Sequence, residues 1–184
     1  MVHILALPGV TRDAAEAPLA LFFGRLQRRL WTEALGMALR WPRAERALVA
    51  WLGGPRWALC RWRVTASLQR ALTDPLRTIL VGHAEGARIV YEVAGRQPVG
   101  LLVTMGTGPA GLGPARPGRP ASPWLHLGRP GDPWAAPVPG ARMTWLPDRG
   151  LRGLAAHGGA AYWTEDAADA IARAWHRRHD GDAG

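Results

Sequence analysis

Gly82 and Gly86 bracket a position where acyl chemistry would need a nucleophile, and that position is Ala84. The stretch from Thr78 to Gly95 reads TILVGHAEGARIVYEVAG: an apolar β-type run, a Gly-x-x-x-Gly turn, then a helical run. This is the layout of the Gly-x-Ser-x-Gly nucleophile elbow, in which a serine is presented on a sharp strand-to-helix turn. Alanine has no nucleophilic atom. The only serines, Ser67 and Ser122, and the only cysteine, Cys60, lie outside the turn. The sequence therefore carries the frame for acyl chemistry without its reacting group. The plainer reading is a small residue filling a tight turn.

Other side chains could do chemistry. Asp132 lies in Pro130-Gly131-Asp132-Pro133, which also suits an ordinary turn. His157 precedes Gly158-Gly159, and His83 precedes the elbow apex, where packing or a hydrogen bond is the expected role. His176 and His179 share a helix face with no further ligand beside them, so no metal is expected. A lone cysteine makes neither an internal disulfide nor a multi-cysteine zinc site, and no cofactor motif is present.

Composition bounds the setting. The 184 residues suffice for one domain, read as 1–180 with a frayed tail at 181–184. The net charge of +9 invites a nucleic-acid reading. All the basic residues are arginine, with abundant Ala, Gly and Pro, which looks like GC-rich coding and not a selected basic surface. Nucleic-acid binding is therefore the weaker alternative. The N-terminus MVHILALPGV reads as a strand and a turn, not as a signal peptide, and no apolar run approaches the ~20 residues of a membrane span. A cytoplasmic protein is expected.

The elements that must position these residues follow from periodicity. Val2 to Leu7 reads as a strand. Thr11 to Arg40 reads as one helix, with Leu19, Phe22, Phe23, Leu26 and Leu30, and later Leu35 and Leu39, recurring at three- and four-residue spacing within each set. Packing on a sheet is its default, and a lid or membrane-surface helix the other option. Arg43 to Leu52 reads as a second helix, Trp57 to Arg63 as a strand and Val64 to Leu72 as a short helix. Strands follow at Thr78 to Val81, Val99 to Met105, Trp124 to Leu127 and Arg142 to Leu146. Gly106 to Pro123 is ten-eighteenths Gly or Pro and reads as irregular. Thr164 caps a C-terminal helix carrying Ala168, Ile171 and Trp175 on one face. Alternating strands and helices predict an α/β fold: a parallel, doubly wound sheet of about six strands with helices on both faces.

In this order the pieces resemble the α/β-hydrolase superfamily, of the serine esterase and lipase kind, across nearly the whole chain. TILVGHAEGARIVYE is similar to the elbow segment, LLVTMGTGP to the strand after it, WLHLGRPGDPWAAPV to the strand and loop that deliver the acid, and HGGAAYWTEDAADAIARAW to the histidine loop and terminal helix. Nucleophile position, acid, histidine is the order that superfamily uses. The resemblance implies a minimal fold of that kind with Ala84 at the nucleophile position, His157 as general base and Asp132 orienting it. It implies oxyanion donors from the backbone of Glu85 and from the loop at Gly9-Val10, with the Glu85 side chain turned away and Trp134 and Trp163 lining the pocket. Gly82 and Gly86 would permit the turn. The implied function is a catalytically silent member that binds a small acyl or ester ligand or a protein partner. The alternative is an active serine ester hydrolase in which alanine has replaced the serine by mutation.

Overall fold

The two most apolar runs, Val2–Leu7 (β1) and Thr78–His83 (β3), lie side by side and parallel at the centre of a six-stranded sheet. The remaining strands are Ala34–Ala38 (β2), Leu101–Met105 (β4), Trp124–Gly128 (β5) and Arg142–Trp145 (β6). Their spatial order is β2-β1-β3-β4-β5-β6, and every neighbouring pair is parallel. This computed structural model describes residues 1–9, 16–31, 33–39, 55–112 and 120–180. The helices are Glu16–Leu30 (α1), Pro55–Ala71 (α2), Glu85–Ala94 (α3), Pro109–Leu112 (α4), Leu154–His157 (α5), Gly159–Tyr162 (α6) and Glu165–Asp180 (α7).

Strand alternation sorts the core into two layers. Ile4, Ala6, Ile79, Val81, Val103 and Leu125 face α1 and α7, whose Phe22, Leu26, Ile171 and Trp175 close that side. Leu5, Leu7, Leu80 and Leu102 face α2 and α3, which supply Cys60, Val64, Leu68, Val90 and Val93. Central strands buried on both faces are what a parallel sheet requires. The described helix α1 packs in the core, so the sheet-packing expectation describes it and the lid does not.

Three sequence expectations are corrected. The helix predicted over Thr11–Arg40 stops at Leu30, and Leu35 lies in β2, paired with His3. The break is Trp31, with φ 49°. The strand predicted at Trp57–Arg63 is helical: α2 is continuous to Ala71, because Cys60, Val64, Leu68 and Leu72 form one buried stripe at four-residue spacing. Within the Gly/Pro-rich tract, one turn of helix forms at Pro109–Leu112. The six-strand expectation holds, with β2 standing in for the misread segment. The predicted helix at Arg43–Leu52 and the tail at 181–184 lie outside the described residues. Among those residues no helix is long and apolar enough to cross a membrane.

The strand order reverses at β1 and β3, which places a crevice at their carboxyl ends. Gly9 and Ala84 follow those two strands.

Candidate functional site

Ala84 connects β3 directly to α3 with φ 50° and ψ −120°, and its N–H donates to the Met105 carbonyl at 3.0 Å. A non-glycine residue at positive φ is uncommon and strained. Packing enforces the turn. A Cβ at Gly82 would lie 2.4 Å from Val90 Cγ2, and one at Gly86 would lie 2.2 Å from the Leu7 carbonyl oxygen. Both glycines are therefore steric requirements for seating α3 on β1 and β3.

Asp132 leaves the loop after β5 and is buried. His157 ends α5, and its Nδ1 lies 3.2 Å from both Asp132 oxygens. An ionised carboxylate only accepts, so the hydrogen of this contact sits on Nδ1. The Tyr162 hydroxyl donates to Asp132 Oδ2 at 2.7 Å, and the Trp134 N–H donates to Oδ1 at 2.9 Å. Burial works to raise the Asp132 carboxyl, but the hydrogen bonds from His157, Tyr162 and Trp134 outweigh it and hold it below its ordinary value. Burial, and then donation to Asp132, push the Tyr162 hydroxyl well above its ordinary value. That hydroxyl also accepts from the Arg129 N–H at 3.1 Å.

His83 is fully buried, and its Nε2–H donates to the His157 carbonyl at 2.9 Å. Burial, reinforced by nearby His157, pushes its imidazole down to about 4, so the ring is neutral near pH 7. It ties the elbow strand to the histidine loop, as a packing and hydrogen-bonding residue would.

Ala84 and His157 line one cleft of about 590 Å³, together with Glu85, Thr107, Trp134 and Leu154. The Trp134 indole sits 4.5 Å from the His157 ring, centroid to centroid. Gly9 lies against the apex: a Cβ built there would be 3.1 Å from the Ala84 Cβ. Glu85 opens α3, directly after the apex. Its side chain does not turn away as expected. Its Oε2 lies 3.3 Å from the same Gly9 Cβ position, and the residue is among those that line the cleft. Trp163 is buried against Phe22 and is not among the residues lining the cleft, unlike Trp134. Val10 lies outside the described residues. Among those residues no group of three or more His, Cys, Asp or Glu side chains could hold a metal ion. Tyr162 escaped the sequence reading because its partners lie about thirty residues away along the chain, and no local motif marks that contact.

No protein-family model matches the chain, and no curated protein matches it. Solved structures do. A protein from Xanthomonas campestris pv. campestris, assigned to the alpha/beta hydrolase superfamily, superposes with a TM-score of 0.61 at 17% identity, over 98% of this chain and 99% of that one. The fold is that of the α/β-hydrolases. SOBER1 of Arabidopsis thaliana shares the α/β-hydrolase-like architecture at a TM-score of 0.57 and 14% identity, covering 97% of this chain and 99% of that one. RedJ, solved with a PEG molecule bound in its active site, matches at 0.55 and 16% identity, over 95% and 91% of the two chains.

Proposed function

We propose that this α/β-hydrolase-fold protein is catalytically silent and binds a small acyl or ester ligand in the cleft above Ala84. The observation that carries the reading is a strained elbow presenting a methyl group into the same cleft as an Asp132-oriented His157. The roles then follow. His157 is the base position, Asp132 its orienting acid, and the backbone N–H groups of Glu85 and of the loop after β1 are the oxyanion donors. Tyr162 positions Asp132. Losing the nucleophile of such a triad costs about a millionfold in rate, or ~8 kcal/mol of transition-state stabilisation. What the oxyanion donors and binding retain is ~10³–10⁴ over water. The mostly apolar cleft wall suits the chain of an ester, and the retained donors suit its carbonyl.

Hydrolysis of short p-nitrophenyl esters tests this. Wild type should match a His157→Ala control. Ala84→Ser should gain at least ~10²-fold, part of the millionfold span a triad controls, and His157→Ala in that background should remove the gain. Wild-type turnover clearly above the His157→Ala control would overturn the reading. The intact Asp132–His157 contact also favours the second reading, an active hydrolase with a substituted serine. An alanine codon at position 84 of the natural gene rules that out.

A further inference from the structure

Helix α1 ends at Leu30, and the residue that turns the chain out of it is Trp31, with φ 49°. Left-handed backbone just past a helix end favours glycine, because a Cβ there crowds the following carbonyl. Burial does not offset the strain, since Trp31 is 84% exposed. Its indole faces the His176 imidazole of α7, centroids 5.2 Å apart and planes 33° apart. That contact leaves most of the indole in solvent.

The indole forms a wall of a second cleft, about 250 Å³, between the end of α1 and the later turns of α7. Arg29, Asp169, Ala172, Arg173 and His176 complete it. Its acidic group is already engaged: Asp169 accepts from Arg29 Nε at 3.0 Å and from Arg25 Nε at 3.2 Å. The Arg29 carbonyl, at the negative end of α1, is capped by His176 Nε2–H at 2.9 Å. Arg173 is exposed and makes no hydrogen bond or ion pair among the described residues. Arg29 and Arg173 against the one carboxylate of Asp169 line the cleft, beside an indole that stays largely exposed although one side of it meets His176.

We propose that this cleft is a second binding site, for a planar aromatic ring that carries a phosphate, of the nucleoside monophosphate class. The ring stacks on Trp31, and the phosphate meets Arg173 with Arg29 beside it. Indole faces stack bases of any kind, and guanidinium is well matched to phosphate oxygens. A cleft below the ~300 Å³ of the smallest drug-sized pockets takes one ring system and its charged group. This site stands apart from the elbow cleft and does not depend on how that cleft is read.

Titration calorimetry with AMP tests it, with adenosine and inorganic phosphate as separate arms. AMP should bind saturably, and each fragment should bind at least about tenfold more weakly. Trp31→Gly should lose about tenfold or more in AMP affinity, the scale of one lost base stack. Its melting temperature should hold or rise by about 2–4 °C, because glycine suits the conformation. Arg173→Gln, at an exposed position, should weaken AMP and leave adenosine unchanged. The proposal is overturned by a wild type with no saturable AMP heat, by Trp31→Gly binding AMP as wild type does, or by Trp31→Gly melting several degrees early, which would make the indole structural.

Discussion

The Tyr162 hydroxyl joins three parts of the site, donating to Asp132 and accepting from the Arg129 N–H, and all three groups are buried. A phenylalanine would fill the same volume but leave a buried N–H unpaired and strip Asp132 of one of its donors. An unmade buried hydrogen bond costs about 1–3 kcal/mol, and bonds to a charged group sit at the upper end. Tyr162→Phe should therefore destabilise the protein by ~2–3 kcal/mol in equilibrium urea unfolding. A change under about 0.5 kcal/mol, the scale of a neutral surface substitution, would show that the hydroxyl carries no such linkage. Ala84 presents the opposite economy. Its conformation strains any residue bearing a Cβ by about 1–3 kcal/mol, and the side chain it presents makes no hydrogen bond. Strain of this kind is understandable where it aims a reacting atom. Here it is retained because the glycine contacts on either side leave α3 no other seat.

Those contacts belong to the element scale. A Cβ at Gly86 would lie 2.2 Å from the Leu7 carbonyl oxygen and 3.1 Å from that of Pro8, both backbone atoms that cannot swing aside. Gly86→Ala should cost ~3 kcal/mol, the upper part of the range for overpacking, by prising α3 from β1. Gly158→Ala is the control. Its Cβ would meet only ordinary contacts beyond 3.4 Å at a φ of −57°, and its midpoint should move within about 0.5 kcal/mol. Equal losses in the two variants would refute the steric account. The same glycines explain what was legible in the sequence. Gly82, Gly86 and the apolar runs around them mark the strand-to-helix turn locally, and the order of Asp132 and His157 along the chain points to the pair whose side chains meet. Helix α2 was misread because arginines interrupt its first half, and its stripe from Cys60 to Leu72 emerges only when both halves are taken as one period. Strand β2 hides in the helical reading because it lies at the sheet edge, where Leu35 and Met37 remain exposed, and because Leu35 and Leu39 happen to sit four residues apart. Nothing in the composition of Trp31 marks a helix end, since the residue that physics favours there is glycine.

At the scale of the whole molecule, two imidazoles sit fully buried in a protein that already carries +9. Burial pushes both His83 and His126 from 6.5 down to about 4. Between those values the unfolded chain binds two protons that the folded chain refuses, so stability falls as pH falls. At pH 5 the loss is ~2 kcal/mol for each histidine, or ~4 kcal/mol together, relative to pH 7.5. Above pH 7 neither contributes a slope. The depressed Asp132 carboxyl does not enter this window, because its contribution is lost only below the ordinary carboxylate range. Self-repulsion of a basic chain acts in the same direction on acidification, but salt screens it over about 10 Å at 0.1 M and 3 Å at 1 M, whereas it does not rehydrate a buried ring. Urea midpoints from pH 8 to pH 5, at low and high salt, separate the two. The histidine account requires most of the decline to survive at high salt, and a single substitution, His126→Gln, should remove about half of it. Midpoints that stay level down to pH 5, or that level out once salt is added, would mean that these rings accept protons in place or that charge repulsion alone sets the acid limit.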